Sequence, residues 1–147
     1  MKHDLTAAVF LTRLAVGAFL GIAIGFERQW RQRAAGLHTS GLVAIGATLF
    51  ALLDTFVSAG DTTRVLAGIV TGVGFIAGGV ILRDGANVSG LNTAATIWAT
   101  AAVGALAGMG LYWHATASAV IVVINLTTQP LAQWVDARSA SQKNGGD

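Results

Sequence analysis

One long stretch without charged residues constrains the fold of this chain more than any other feature. Between Asp84 and Asp136 there is no Asp, Glu, Lys or Arg. A helix needs about 20 apolar residues to cross a bilayer, so this stretch is long enough for two crossings. Charged residues make up 11% of the 147 residues, which is less than half the share of about 25% in soluble domains. We therefore expect an all-α membrane protein.

Apolar runs predict about five transmembrane helices. The candidate spans are Leu5 to Phe26, Gly41 to Ala59, Val65 to Leu82, Asn92 to Leu111, and Trp113 to about Gln133. The alternative is four spans, with the last run lying on the membrane surface. Arg13 interrupts the first run, so we expect that run to be retained rather than cleaved as a signal peptide. Residues 1–134 are predicted to form the transmembrane domain, and the small, polar residues 135–147 a disordered cytoplasmic tail.

The basic residues predict the orientation of these spans. The N-terminus and the second and fourth loops together carry Lys2 and Arg64. The first loop, the third loop and the tail carry Arg28, Arg31, Arg33, Arg83, Arg138 and Lys143. Because basic residues favour the cytoplasmic side, two against six predicts an N-out, C-in topology. Basic residues confined to short loops indicate contact with membrane lipid and not with nucleic acid.

Glycines at four-residue spacing predict how the helices pack. Helices in lipid associate through the close approach of small residues. The candidate packing glycines are Gly17, Gly21, Gly25, Gly68, Gly72, Gly74, Gly78, Gly104 and Gly108. Such Gly/Ala faces also suit a partner protein or a second copy in a homo-oligomer. The alternative for the dense run 72–79 is a broken helix that forms a transport site.

Arg13 and Asp54 are charges within predicted spans, which makes both functional candidates. They lie at depths of roughly 12 Å and 8 Å from the outer surface, at 1.5 Å per residue. The simplest interpretation is an intramembrane ion pair between them. The alternatives are a cation or proton site at Asp54 and snorkelling of the charges to the surface. At the start of the fourth span, Asn92 and Thr93 are predicted to cap the helix.

Ordered motifs from about Gly17 to Pro130 resemble those of the MgtC/SapB family. They include Gly21-x-x-x-Gly25-x-Glu27-Arg28, Ala35-Gly36-Leu37-His38-Thr39, Gly72-Val73-Gly74-Phe75 and Gly90-Leu91-Asn92-Thr93-Ala94-Ala95-Thr96. Three departures matter. His38 replaces the arginine of the family's A-G-L-R-T pattern and Asn92 replaces a threonine. The soluble ACT-type domain of many members is also missing from the sequence, so we expect none of that domain's activity here.

The resemblance implies a multi-pass protein of the bacterial inner membrane. Its family is tied to growth at low magnesium and, in pathogens, to survival inside macrophages. Members are often described as magnesium transporters, whereas better-studied ones look like regulators that bind membrane proteins such as the ATP synthase. We therefore expect a regulator, with a transporter or channel for magnesium or another cation as the alternative.

The motif-rich first and third loops are predicted to form one cytoplasmic interaction face. Its candidate residues are Glu27, Arg28, His38, Thr39, Arg83, Asp84, Asn92 and Thr93. Glu27 and Asp84 are interpreted as partners of Arg28 and Arg83, or as contacts to another protein. The chain has no cysteine and none of the common catalytic motifs. We expect neither enzymatic activity nor a cofactor, and no metal ligand is assigned.

Overall fold

The computed structural model describes residues 6–57, 62–128 and 138. In this part of the chain the helices are α1 (Ala7–Trp30), α2 (Leu37–Val57), α3 (Thr62–Gly78), α4 (Leu91–Gly108) and α5 (Tyr112–Thr127). A two-stranded antiparallel hairpin, β1 (Leu82–Asp84) and β2 (Asn87–Ser89), connects α3 to α4. The predominantly helical fold is thus confirmed. The predicted tail, apart from Arg138, lies outside the described residues.

Three of the helices are long and apolar enough to cross a membrane. They are Ala7–Trp30, Leu37–Asp54 and Leu91–Gly108. The apolar segments Thr63–Gly78 and Tyr112–Thr127 are shorter. This supports a membrane protein, while the number of spans and their orientation stay predictions.

Helices α1, α2 and α4 pack together at the centre of the fold. Helix α3 lies against α2 and α4, and α5 lies against α1 and α4. Ile24 of α1, Ala107 of α4 and Ala115 of α5 are fully buried in one apolar cluster. The Thr48 hydroxyl of α2 lies 2.8 Å from the carbonyl oxygens of both Ala44 and Gly104. It donates to one of them at a time, which satisfies the hydroxyl at the contact between α2 and α4.

Five of the nine candidate glycines lie where another helix comes close. A Cβ on Gly17, Gly21 or Gly25 of α1 would collide with α2 or with the loop before it. A Cβ on Gly104 would lie 2.8 Å from the Cα of Ala44, and one on Gly108 would lie 2.6 Å from the carbonyl oxygen of Thr48. The backbones of α1 and α4 can therefore approach α2 only because these residues lack side chains.

The four glycines of α3 are placed differently. A Cβ built on Gly68, Gly72, Gly74 or Gly78 would meet nothing within 4 Å. Their spacing therefore produces no close contact among the described residues. Instead, Gly68 and Gly72 line an open apolar groove between α2 and α3.

The helix ends differ from the predicted spans at the first loop. Helix α1 continues to Trp30 and α2 begins at Leu37, so Glu27, Arg28, His38 and Thr39 lie on helices and not in a loop. The apolar run ends before the helix does, because Arg28 lies one turn after Ile24 on the same buried face. The hairpin between α3 and α4 was also not predicted.

Candidate functional site

A tight turn connects α1 to α2 and holds the ends of both helices together. Gln32 (φ 54°) and Ala35 (φ 59°) are both left-handed, a conformation that is uncommon outside glycine. The backbone N–H of Arg33 donates to the carbonyl oxygen of Arg28 at 2.9 Å. The buried Ser40 hydroxyl donates to Ala35 O at 2.9 Å. The first of these bonds fixes the Arg33 backbone relative to α1, and the second fixes the turn to the start of α2.

Arg28 is buried although it carries a charge. Its side chain is only 2% exposed. Nε and Nη2 donate to the carbonyl oxygen of Ala34 at 3.1 and 2.9 Å, and Nη2 also donates to Thr93 Oγ1 at 2.8 Å. The Thr93 bond links the end of α1 to the start of α4 across 65 positions of sequence. Arg28 therefore joins the first loop to α4 through neutral acceptors.

Helix α4 begins without a side-chain cap. Its N-cap residue is Gly90, with φ 86° and ψ −5°, and no side chain caps the helix. The prediction that Asn92 and Thr93 cap it is therefore wrong, because the Thr93 hydroxyl accepts from Arg28 instead. Gly90 is required for two reasons: its φ is positive, and a Cβ would collide with the Val80 carbonyl.

These elements border an open cavity of about 390 Å³, which we name the loop-end cavity. Its lining residues are Arg28, Arg33, Val88, Ser89, Gly90, Leu91, Asn92 and Thr93. Two are arginines, and none of these described lining residues is acidic. Three candidate site residues, Arg28, Asn92 and Thr93, thus meet in one place. Arg33 and Ser89 were not among the predicted site residues.

The other candidates for the predicted interaction face lie outside this cavity. His38 and Thr39 are exposed in the first turn of α2, and Arg83 and Asp84 are exposed on β1. Arg83 Nε donates to Gly85 O at 3.1 Å. Among the described residues Arg83 forms no ion pair with Asp84, so the predicted pairing of these two is wrong; the Arg83 guanidinium donates to the hairpin turn instead.

Glu27 is paired with a different arginine from the one expected. It forms an ion pair with Arg31, 2.5 Å between Oε1 and Nε, although the angles are not those of a hydrogen bond. The direct ion pair of Glu27 is thus with Arg31 and not with Arg28, although Glu27 still interacts with Arg28 electrostatically. Consecutive residues on a helix point in different directions, whereas positions i and i+4 lie on the same face.

At the other end of α4, Arg13 contacts the last turn of the helix. Its Nη1 donates to Gly108 O at 2.9 Å, which satisfies a carbonyl that has no partner within the helix. A guanidinium is also favoured at this negative end of the helix dipole. The ion pair between Arg13 and Asp54 stays a prediction. No group of three His, Cys, Asp or Glu side chains suited to a metal ion occurs within the described ranges.

Comparison with known proteins relates the chain to one family. The model of the MgtC family matches residues 14–134. Protein MgtC of Brucella abortus is 52% identical over 124 residues, covering 82% of this chain and 52% of the relative. Protein MgtC of Salmonella typhimurium is 44% identical over 137 residues, covering 92% and 59%.

A further relative carries no functional name. An uncharacterized protein of Synechocystis is 50% identical over 128 residues, covering 86% of this chain and 55% of the relative. The chain thus spans a little over half the length of the curated relatives it matches. No solved structure matches it.

Proposed function

The chain belongs to the MgtC family, and we propose that it is a multi-pass regulator of the bacterial inner membrane that acts by binding other membrane proteins. The proposal includes about five spans in an N-out, C-in topology. It also includes a role in adaptation to low magnesium and, in a pathogen, in intracellular survival. By family resemblance, the ATP synthase is one candidate partner.

The observation that carries this proposal is the open groove between α2 and α3. The groove has a volume of about 590 Å³ and is lined by apolar side chains and glycines, among them Leu42, Gly46, Phe50, Gly68, Gly72 and Ile76. A Cβ on Gly46, Gly68 or Gly72 would meet nothing within 4 Å. Glycines one helical turn apart let another transmembrane helix approach the backbone closely. The groove therefore suits a helix of a partner protein.

Residues at the loop end supply a polar contact for the same partner. His38, Thr39, Arg83 and Asp84 are exposed near the ends of α2 and α3. Charged groups at the rim of an interface contribute more to partner choice and association rate than to affinity. In this proposal the groove supplies affinity and the loop end supplies selectivity.

Two glycine variants of α3 test the proposal. Gly72 lines the groove and Gly74 does not, yet a Cβ at either position would meet nothing within 4 Å. We expect Gly72→Leu to fold normally but to fail in complementing growth of a deletion strain at limiting magnesium. Gly74→Leu should fold and complement. Equal complementation by both variants at equal protein levels would contradict binding through the groove.

Cation transport is the alternative function, and Asp54 is the observation that favours it. Asp54 is a partly buried carboxylate in α2, and magnesium binds one or two carboxylates while keeping several waters. The deciding measurement is cation flux into liposomes that contain only this protein. Flux that Asp54→Asn abolishes would support transport; flux no faster than in empty liposomes would support the regulator.

A further inference from the structure

We propose that the loop-end cavity binds a phosphate group, supplied either by free inorganic phosphate or by the headgroup of an anionic phospholipid. The proposal is independent of the groove between α2 and α3, because the two cavities share no lining residue. It rests on three features: the buried arginine, the second arginine, and the uncapped start of α4.

The first feature is the incomplete hydrogen bonding of Arg28. Nε and Nη2 are occupied by Ala34 and Thr93, but Nη1 makes no hydrogen bond to any described residue. Arg28 is 2% exposed and lines the cavity. Nη1 is also not among the buried polar atoms that lack a partner, so it remains accessible. A guanidinium whose other nitrogens are fixed is rigidly oriented, so its remaining donor needs little further ordering to bind an acceptor.

The second feature is the concentration of positive charge. Arg33 is exposed and lines the same cavity as Arg28, and the backbone bond from Arg33 N to Arg28 O keeps the Arg33 backbone next to the end of α1. None of the described lining residues carries a carboxylate, and the Glu27 carboxylate, which interacts electrostatically with Arg28, offsets only one of the two charges. Like charges at one site repel, so an anion bound between them lowers the electrostatic energy.

The third feature is the start of α4. The first helical hydrogen bond runs from Ala94 N to Gly90 O, so the N–H groups of Leu91, Asn92 and Thr93 precede it. No side chain caps them. Free N–H groups and the positive end of the helix dipole favour phosphate. The Ser89 hydroxyl and the Asn92 amide line the cavity beside them and add neutral donors.

The size of the cavity and its position fit both sources of phosphate. A volume of about 390 Å³ lies within the range of about 300–1,000 Å³ for small-molecule sites. The cavity lies where α1 ends and α4 begins, and the last residue of α1 is the exposed Trp30. Tryptophan is typical of the level of the lipid headgroups. A headgroup can therefore enter from the membrane and inorganic phosphate from the water.

The test compares two arginine variants of identical charge. Arg33→Gln removes a cavity residue, whereas Arg31→Gln removes a loop arginine that pairs with Glu27 and does not line the cavity. In one arm, the purified protein is titrated with inorganic phosphate against chloride of equal ionic strength, and thermal unfolding is followed. In the other, retention of added phosphatidylglycerol is measured by native mass spectrometry.

We expect wild type and Arg31→Gln to bind one of the two probes. Arg33→Gln should weaken that binding by roughly tenfold or more, as expected for the loss of one charge-assisted hydrogen bond. Asn92→Ala should weaken phosphate binding less than Arg33→Gln does, because the Asn92 side chain is exposed and uncharged. An effect on inorganic phosphate assigns the site to free phosphate, and an effect on the lipid alone assigns it to a headgroup. Equal binding by both arginine variants, or binding of neither probe by wild type, overturns the proposal.

Discussion

Arg28 stabilises the fold through the partners it satisfies. Taking a guanidinium out of water costs several kcal/mol, and three hydrogen bonds to Ala34 and Thr93 offset part of this cost. If the arginine is removed, the buried Thr93 hydroxyl loses its donor, and the carbonyl of Ala34 loses both of its bonds from Arg28. The contact between the first loop and α4 therefore depends on one side chain.

Arg28→Gln should lower the free energy of unfolding on the order of 3 kcal/mol, because polar groups at the contact lose their partners. Arg31→Gln removes only a partly exposed ion pair and should cost less than about 1 kcal/mol. Denaturant unfolding in mixed micelles measures both. Similar losses for the two variants would mean that the hydrogen bonds of Arg28 contribute little.

Arg13 and Asp54 are tested by a double-mutant cycle. If they interact, Asp54→Asn should destabilise the protein, and Arg13→Gln should do little further harm in that background. Arg13→Gln alone also removes the bond to Gly108 O, so its effect need not vanish completely. Strictly additive losses in thermal unfolding would argue against the pair.

At the scale of elements, glycine spacing predicts a small face but not what that face contacts. The spacing of Gly17, Gly21 and Gly25 on α1 resembles that of Gly68 and Gly72 on α3. Only the first set contacts α2; the second opens onto the groove. Which of the two occurs depends on how neighbouring helices are placed, and this is tertiary information that periodicity does not carry.

Alanine substitutions distinguish the two kinds of face. Gly104→Ala places a Cβ against the backbone of Ala44 and should destabilise the protein by about 1–3 kcal/mol, the usual cost of overpacking. Gly72→Ala has space and should be neutral, or stabilising by up to about 1 kcal/mol through helix propensity. Thermal unfolding in detergent gives the comparison. Destabilisation by Gly72→Ala alone would mean that α3 packs differently.

At the scale of the whole molecule, the helical fold and the order of its helices could be predicted from apolar runs. The ends of α1 and α2 at the first loop could not be predicted in this way, because α1 continues past its apolar run and buries Arg28. The shared face of Ile24 and Arg28, four residues apart, was the available signal. The loop-end cavity could not be predicted either. It lies where the end of α1 meets the start of α4, and the Arg28–Thr93 hydrogen bond at this contact joins residues 65 positions apart in sequence.

Orientation is testable with single cysteines, since the chain has none. Ser40 is fully buried and unsuitable. Ser89, on β2 just before α4, and His114, in the first turn of α5 just after α4, are both exposed and lie beyond opposite ends of α4. The N-out, C-in topology predicts that Ser89→Cys is protected from a membrane-impermeant thiol reagent in intact cells and that His114→Cys is labelled. Lysed cells, in which both should react, are the control. Labelling of Ser89→Cys and protection of His114→Cys would show that the topology is N-in, C-out.

The final prediction separates regulator from transporter by ranking three carboxylates. If the molecule acts by contacting a partner at its loop end, Glu27→Gln and Asp84→Asn should reduce complementation at limiting magnesium, because neither carboxylate lies deep in a predicted span. Asp54→Asn should then retain activity if it folds. A transporter predicts the opposite ranking, since a carboxylate within the membrane marks an ion path.

The assay uses a deletion strain with protein levels checked by blot, and Arg31→Gln controls for the loss of the ion pair with Glu27. If the Glu27 carboxylate itself contacts the partner, Arg31→Gln should stay active while Glu27→Gln does not. If both Arg31→Gln and Glu27→Gln lose activity, the loss is due to the broken ion pair between Glu27 and Arg31. In that case Asp84→Asn alone tests whether the interaction face contacts a partner. An inactive but well-folded Asp54→Asn beside active Glu27→Gln and Asp84→Asn would contradict the regulator and favour transport.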